Sequence, residues 1–464
     1  MQNLWPELNN EQASPGTAGQ AQEPPRRRRL TEQVVLLSLR DWLLHDFALP
    51  YCRTLSATRI YHHCYWIDAL GGKACHPERS EGSGSTDAEI FRCAQDDSQE
   101  SKATALHGIF LEAGSSKRKE TRPVEGEQSG NNHLATSAKA ASVLPQGKSG
   151  IVRASWLEIA PALLDLIGQS PAIFLLNPFG RTLFTYDDLT PLYQRTAPTE
   201  LCLLIAHKQL MAHLTSARRA TIKAHPSTPH PARPYGPDGH APKNLPVTAS
   251  RDAITLTALL RSDRWKTLPT SDEEVKLAID GVIDLLIASM QRHFLSVQRI
   301  ALPVLIRPAV VEVAPYTLIF ATRRQDSLAS MNDAVCLYRR RLYEQSRRGV
   351  LAEEWFAAQQ QERFTEELQQ LYRRMLQQGR AQRVRRWPDL RQQLLNADFG
   401  RYTVYEYDEV MQQLLASGDV RCEWRAWRGQ APPLLYTNGI TETGGEAESE
   451  ERPIPGNEDI LLWK

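Results

Sequence analysis

The chain has few cysteines, no excess of either charge and no long apolar run. Its seven cysteines include no Cys-x-x-Cys pair and no spacing typical of a zinc site, and their odd number argues against a secreted disulfide framework. The formal net charge of +1 gives no overall attraction to nucleic acid or anionic membranes. No stretch approaches the roughly 20 apolar residues of a membrane-spanning helix. We therefore expect a cytoplasmic protein with no structural metal site and no membrane contact.

Both ends of the chain and two internal stretches are poor in apolar residues. Residues 1–30 are rich in Gln, Pro, Asn and Gly, and such a composition does not repay the entropy of folding, so we predict a disordered tail. The same argument predicts disordered insertions near 74–103 and 215–250 and an acidic tail over 441–464. At 464 residues the chain still has the length for a large domain and a smaller one.

Between these segments, short apolar runs alternate with helical patterns. The runs "RIYHHCYWIDAL", "LHGIFLEAG", "PAIFLLNPFG" and "ELCLLIAH" predict strands, and segments such as "APALLDLIGQ" predict the helices between them. This alternation is typical of a parallel sheet with helices on both faces. We predict a Rossmann-like α/β domain over residues 31–335, which ends in a long helix, "SDEEVKLAIDGVIDLLIASMQRHFL", and two strands, "AVVEVA" and "YTLIFAT".

The C-terminal part, residues 336–440, has a different composition. It begins with Arg- and Gln-rich helical sequence that carries twelve arginines between 339 and 386, interleaved with aromatic residues. Two further helices precede an expected hairpin, "VRCEWRAW" and "PPLLYTN", and helices followed by a two-stranded wing suggest a winged helix. Arginine and aromatic side chains suit nucleic-acid contact through 339–435. Five glutamates partly cancel the charge, so a solvated helical face is the alternative.

Polar residues follow the predicted strands, where doubly wound sheets bind their ligands. The motif "WIDALGG" places Asp68, Gly71 and Gly72 in a turn where the backbone can approach a cofactor closely. Glu112 ends the next strand in "GIFLEA", where a carboxylate can accept hydrogen bonds from two ribose hydroxyls. A plain strand-ending turn is the alternative interpretation of the two glycines.

The fourth strand ends in "LLNPFG". There Asn177, Pro178 and Phe179 combine a polar side chain, a proline and an aromatic ring, which can hold a target amine by hydrogen bonding and stacking, as amino-group methyltransferases do. These three residues are the catalytic candidates. The alternative is that Pro178 and Gly180 only make a turn while Phe179 fills the core, and the sequence leaves both roles open.

The motifs "YWIDALGG", "IFLEA", "FLLNPFG" and "YTLIFATRRQDSLASMNDAV", in this order, resemble the three-Cys-motif partner protein family of bacteria over roughly residues 31–435. The resemblance implies a class I methyltransferase-like Rossmann fold and S-adenosylmethionine as cofactor, bound through Asp68, Gly72 and Glu112. It also implies a partner protein with a three-cysteine, iron-sulfur motif, which this chain lacks. Asn177 stands where the family has an aspartate.

The segment after Gly72 departs from the family pattern. The family loop runs straight into a helix, whereas here "CHPERSEGSGSTDAEIFRCAQDDSQES" resembles the translation of a dispersed bacterial repeat element. We hypothesise that a repeat entered the gene in frame and displaced the first helix. The interruption, together with Ala74 in place of a glycine, predicts weak or absent S-adenosylmethionine binding.

Several further residues of chemical interest have simpler roles. Cys75, His76 and Cys93 could be read as metal ligands, but they belong to the repeat-like segment, and we predict no metal there. His62 and His63 precede a buried strand and are expected to be packing or surface residues. The sequence thus predicts a three-Cys-motif partner-like, S-adenosylmethionine-dependent methyltransferase with a degenerate cofactor site. The alternative is a non-catalytic nucleic-acid-binding or adaptor protein, and the sequence leaves open whether the chain is an enzyme.

Overall fold

The computed structural model describes residues 32–70, 104–111, 149–224, 251–269, 274–307, 310–347, 353–425 and 454–464. The tail predicted over residues 1–30 and the insertion predicted near 74–103 lie outside these ranges. Of the insertion predicted near 215–250, residues up to Ala224 instead continue a helix that starts at His207, and residues 225–250 lie outside the described ranges. Among the described residues, no helix combines the length and apolar character needed to cross a bilayer.

One compact unit comprises Tyr51–Val304 and Glu312–Arg324. The described strands of its sheet are β1 (His63–Asp68), β2 (Ala105–Leu111), β3 (Gly150–Val152), β4 (Ala172–Leu176), β5 (Thr199–Ala206), β6 (Ser296–Arg307) and β7 (Val310–Thr322), and the ends of the last two that fall within Leu305–Val311 belong to the other unit. The helices between them are α3 (Trp156–Ile167), α4 (Tyr186–Gln194), α5 (His207–Ala224), α6 (Arg251–Leu260) and α7 (Val275–Met290), with a 3-10 turn at Arg264–Thr267. We refer to this part of the chain as the sheet unit.

The strands of the sheet unit lie in the order β3-β2-β1-β4-β5-β7-β6. Strands β1 to β5 pair in parallel, and β7 runs antiparallel to β5. Every residue of β4 and β5 is buried, because helices cover the sheet and leave no polar face. The prediction of a Rossmann-like α/β domain is therefore confirmed as a mostly parallel sheet flanked by helices.

The two last predicted strands need correction. Both "AVVEVA" and "YTLIFAT" belong largely to β7, which passes through Ala314 with a φ of 42°. The sequence analysis missed β6, which contains Pro303 and lies at the edge of the sheet. Proline is tolerated on an edge strand because no neighbour needs its missing N–H.

Local sequence fixes the starts of the helices at the carboxyl side of the sheet. Helix α3 begins with a capping box in which Ser155 N–H donates to Glu158 Oε2 over 2.7 Å. Helix α4 begins in the same way, with Thr185 N–H donating to Asp188 Oδ2 over 2.6 Å. These caps satisfy backbone donors that a helix start leaves unpaired, and so they fix where the loops after β3 and β4 end.

The other compact unit comprises Met1–Pro50, Leu305–Val311 and Gln325–Lys464. Its described elements are α1 (Glu32–Trp42), a π-helical segment (Leu43–Ala48), α8 (Gln325–Arg347), α9 (Glu353–Gln382), α10 (Trp387–Ala397), α11 (Val404–Ser417), β8 (Val420–Glu423) and β9 (Ile460–Trp463), and α2 (Leu49–Ala57) continues from it into the sheet unit. We call it the helical unit. The sequence prediction placed α1 with the Rossmann domain, but Trp42 Nε1 donates to the carbonyl of Ala334 over 3.1 Å.

The end of the helical unit also differs from the prediction. Strand β8 pairs antiparallel with β9, which lies in the segment 441–464 that the composition predicts to be a tail. Leu461 is buried in the same core as α9, α10 and α11, because "ILLW" is an apolar run within an otherwise acidic segment. The run "PPLLYTN", expected to pair with β8, lies outside the described residues.

Candidate functional site

The carboxyl ends of β1 and β4 lie side by side in the sheet unit. Asp68, the last residue of β1, pairs in register with Leu175 of β4, and Asn177 follows two positions later. The chain reaches β4 from β1 by way of β2 and β3 on the other side, so the order of the strands reverses here. Ligands of doubly wound sheets bind at such a switch point. The structure therefore brings Asp68 and Asn177 together at the predicted edge.

The carboxylate of Asp68 shapes the turn after β1. Its side chain is only 2% exposed, and Oδ1 accepts a hydrogen bond from the backbone N–H of Leu70 over 3.0 Å. The N–H of Ala69 still bonds to the carbonyl of Leu175, so the sheet pairing extends one residue beyond the strand. An aspartate here holds the backbone of the turn in place, which is what a cofactor loop needs at its first residue.

The side chain of Asn177 is held at both ends. Its Oδ1 accepts from the backbone N–H of Phe179 over 3.0 Å, and its Nδ2 donates to Oε1 of Gln209 over 2.8 Å. Gln209 lies in the first turn of α5, directly after β5. A carboxamide offers two donor and two acceptor positions, and contacts with described residues use one of each in Asn177, which leaves one donor and one acceptor position for a ligand.

Phe179 does not face the site. Its ring is fully buried in the main core of the sheet unit, and its backbone forms an isolated bridge with Leu183. Pro178 is buried as well, and its carbonyl accepts from the N–H of Phe184 over 3.0 Å. The expectation that Phe179 stacks on an acceptor is therefore wrong for this structure. Core filling, the simpler alternative, accounts for the proline and the aromatic ring, and Asn177 alone keeps polar positions for a ligand.

Sequence analysis missed His213, which supports the same loop from α5. Its Nε2 donates to the carbonyl of Gly180 over 2.9 Å, and its Nδ1 lies 3.7 Å from Oδ2 of Asp252 on α6. The imidazole therefore connects the loop after β4 to two helices. A histidine within a helical pattern carries no signal of its own, and its partners lie more than 30 residues away in the chain.

His207 also follows a carboxyl strand end, that of β5. Its Nε2 lies 2.8 Å from the hydroxyl of Thr317 on β7. Burial, and secondarily the charge of Arg299, lowers the pKa of His207, so the imidazole is neutral at neutral pH. This neutral imidazole has one hydrogen-bond donor and one acceptor beside the site, and it carries no charge there.

Most of the remaining predicted residues fall outside the part of the chain that the structure describes. Gly71, Gly72 and Glu112 lie outside the described residues, as do Cys75, His76 and Cys93. Leu111, which precedes Glu112, lies one position beyond Phe110, the register partner of Asp68. His62 is exposed, and the Nδ1 atom of His63 lies 3.1 Å from Nε2 of His107.

The helical unit has a cavity of about 730 Å³ between α8, α9 and the loop before α11. Its polar and aromatic lining includes Arg339, Arg340, Tyr343, Arg363, Phe364 and Arg401. Arg339 donates to the carbonyl of Gly400, and Arg340 donates to both carboxylate oxygens of Glu406. Arg401 lies 3.8 Å from Glu367. Much of the arginine charge expected to contact nucleic acid is therefore used within the unit.

Comparison with known protein families, with curated proteins and with solved structures finds no match to this chain.

Proposed function

We propose that the sheet unit is a class I methyltransferase-like domain that places S-adenosylmethionine at the carboxyl edge of β1, β2 and β4. The proposal extends to the resemblance with the three-Cys-motif partner proteins, and hence to a partner protein that carries an iron-sulfur motif. The interruption after Gly72 makes the cofactor site a degenerate one. Under this proposal Asn177 orients the methyl acceptor, and Asp68 holds the turn that carries the methionine part of the cofactor.

The observation that carries the proposal is the strand order, in which β7 runs antiparallel to its neighbour β5. Dinucleotide-binding Rossmann sheets have the order 3-2-1-4-5-6 with all strands parallel. Here an antiparallel strand, β7, lies between β5 and β6. That insertion is the arrangement typical of class I methyltransferases. Fold alone does not establish an activity, so the case for methyl transfer also depends on the residues at the switch point.

The polar groups at the switch point support a positioning role. Transfer of a methyl group from a sulfonium to an amine needs the two reacting atoms in line and close together, which fixed hydrogen bonds achieve. Asn177 is fixed by the N–H of Phe179 and by Gln209, and it retains an acceptor for an amine N–H. An amide carries no charge, so it orients the acceptor without removing its proton.

Calorimetric titration with S-adenosylmethionine tests the proposal. We expect the natural chain to bind the cofactor weakly, and Glu112→Ala to weaken it further because the ribose hydroxyls lose their acceptor. Asp165→Ala, an exposed residue of α3, is the matched control and should bind like the natural chain. A graft that replaces Cys75–Ser101 with an uninterrupted glycine loop and helix should bind more tightly. No binding by either the natural chain or the graft would contradict the cofactor assignment.

The cavity of the helical unit favours a second candidate, non-catalytic nucleic-acid binding, in which α10, α11, β8 and β9 act as a winged helix. Arg340 lies 5.0 Å from the ring of Phe364, so charge and aromatic surface occur together. Arg363 lines the cavity, and no ion pair of its side chain occurs among the described residues. Arg363→Ala should then lower the affinity for a labelled single-stranded oligonucleotide. The affinity of the variant should also depend less on salt concentration than that of the natural chain. Exposed Arg373, changed to Ala, is the control.

A further inference from the structure

The sheet unit has a second cavity, of about 440 Å³, away from the switch point. It is formed by α4, the last turns of α6 and α7, and the 3-10 turn that follows α6. Its polar lining comprises Tyr186, Arg261, Ser262, Arg264, Ser289, Arg292 and His293. The ring of His293 stacks on Tyr193 at 4.7 Å, and Tyr193 lies in the last turn of α4, just before β5. This end of the cavity therefore faces the amino ends of the parallel strands.

Positive charge dominates this cavity. Three arginines line it, and no acidic side chain is among the described residues that do so. Arginine near a helix C-terminus is often attributed to the helix dipole, which places about half a negative charge at that end. The C-termini of α6 and α7 supply about one negative charge against three guanidinium groups. The helix dipoles thus offset only part of this charge, and exposed guanidinium groups remain available to an anionic ligand.

The side chain of Arg261 is held against an aromatic ring of the cavity. Arg261 directly follows α6 with a φ of 47°, in the left-handed region where glycine is the usual residue after a helix. Arg59 has a similar φ of 55°, so the backbone alone does not distinguish Arg261, and its role rests on the contact of its side chain. The guanidinium lies 4.7 Å from the centre of the Tyr186 ring, and this contact fixes it at the cavity.

Tyr186 is fixed in turn by His293. Its hydroxyl lies 2.5 Å from Nε2 of His293. Burial, followed by the charges of Arg323, Arg292 and Arg261, lowers the pKa of His293, so the imidazole is neutral and its Nε2 can accept a hydrogen bond from the Tyr186 hydroxyl.

We propose that this cavity binds a small molecule with one phosphate group. Arg261, Arg264 and Arg292 hold the phosphate, and the organic part lies against Tyr186 and the apolar side chains of α6 and α7. Guanidinium groups match phosphate oxygens in geometry and charge, and the volume is within the range of small-ligand sites.

A neighbouring groove explains why the ligand carries a single phosphate. The groove, of about 620 Å³, shares Tyr186, Arg261 and Ser262 with the cavity, but it also contains Asp187 and Asp263. A chain of phosphates that continued into the groove would meet these carboxylates. A nucleic-acid backbone is therefore disfavoured relative to a phosphate monoester.

Calorimetry on the full chain with three probes, inorganic phosphate, phenyl phosphate and phenol, tests the proposal. We expect phenyl phosphate to bind more tightly than inorganic phosphate, and phenol to bind far more weakly than either. Arg261→Gly should lower the affinity for phenyl phosphate by at least about tenfold, because one charge-assisted contact is lost. The same change removes the side chain from a left-handed position, so the melting temperature should not fall.

Arg59→Gly is the matched control. Arg59 is an exposed arginine of the same unit, also in the left-handed region with a φ of 55°, and it does not line the cavity. It should bind phenyl phosphate like the natural chain. Equal affinities of Arg261→Gly and the natural chain, equal weakening by both glycine variants, or tighter binding of a single-stranded oligonucleotide at this cavity would each overturn the proposal. Phosphate binding here is independent of S-adenosylmethionine, so failure of one leaves the other intact.

Discussion

The hydroxyl of Tyr51 donates a hydrogen bond to Oε1 of Glu200 over 2.8 Å inside the sheet unit, and both residues are fully buried. Burial, and then the carboxylate of Glu200, raises the pKa of the Tyr51 hydroxyl above its ordinary value. The tyrosine therefore keeps its proton over the whole physiological range and acts as a permanent donor to a carboxylate that water does not reach.

Removing this donor should destabilise the sheet unit. We expect Tyr51→Phe to lower the free energy of unfolding by about 1–3 kcal/mol, because Glu200 loses a buried hydrogen bond while the ring still fills its space. Urea unfolding followed by tryptophan fluorescence measures the change. Tyr405→Phe, at a position that is 75% exposed, is the control and should unfold like the natural chain. A Tyr51→Phe variant as stable as the natural chain would show that the bond adds nothing.

The described cysteines should be inert toward thiol reagents in the folded protein. Four of them are buried, and Cys422 is partly buried. A hydrogen bond with Cys52 and burial raise the pKa of Cys64, burial raises that of Cys202, and burial raises the pKa values of Cys336 and Cys422 to about 12.

Rapid labelling should therefore come from Cys75 and Cys93, which lie in the insertion that the sequence predicts to be disordered. We expect two fast equivalents with Ellman's reagent at pH 8, and all seven cysteines only in urea. In a Cys75→Ser, Cys93→Ser variant the fast phase should disappear. A fast phase that survives in this variant would contradict the burial of the other thiols.

A third prediction concerns the end of the chain. A Cβ added at Gly379 of α9 would lie 2.4 Å from the ring of Trp463 on β9. Alanine normally favours a helix over glycine by about 1 kcal/mol, but overpacking costs about 1–3 kcal/mol. We expect Gly379→Ala to destabilise the helical unit, as measured by urea unfolding. Gln377→Ala, an exposed position on α9, serves as the control. A stabilised Gly379→Ala variant would mean that β9 does not pack here.

A fourth prediction concerns pH. The pKa of His207 is lowered in the folded state, so the unfolded chain binds this proton at higher pH. The stabilising effect is complete above the unfolded pKa of about 6.5 and is lost as the pH falls through the folded value. The melting temperature should drop between pH 7 and pH 5. His207→Gln keeps a side chain that can form a hydrogen bond with Thr317 but does not titrate. Its melting temperature should fall by about 2 °C less than that of the natural chain over the same pH range. The same drop in both proteins would exclude His207 as a cause.

The fold could be predicted from the sequence where the local residues favour a single kind of element. Strand β4 and residues 201–206 of β5 form continuous apolar runs because both faces of the sheet are covered, and short runs of this kind are typical of buried parallel strands. Strand β6 was missed because Pro303 normally argues against a strand, and only its edge position, a tertiary property, makes the proline tolerable. Strand β9 could not be recognised from composition because its short apolar run, "ILLW", lies within the acidic segment 441–464.

The candidate site was predictable only in part. Asp68 and Asn177 follow apolar runs, and parallel pairing then brings strand ends together, so their proximity could be inferred. The orientation of Phe179 could not, since an aromatic residue after a strand can turn inward or outward with the same local sequence. Arg261 and His293 gave no signal at all, because helix ends that are 32 residues apart in the chain form their cavity.

The hydrogen bond between Trp42 and Ala334 spans 292 residues and has a consequence for synthesis on the ribosome. The helical unit is discontinuous in the chain, and most of the sheet unit lies in sequence between its first segment, Met1–Pro50, and its last, Gln325–Lys464. At 5–20 residues per second, α1 waits roughly 15–60 s for the helix on which its tryptophan packs. During that interval the sheet unit can fold completely, while the apolar face of α1 stays exposed. The N-terminal helix is therefore the part of this protein that depends most on protection by chaperones before the chain is finished.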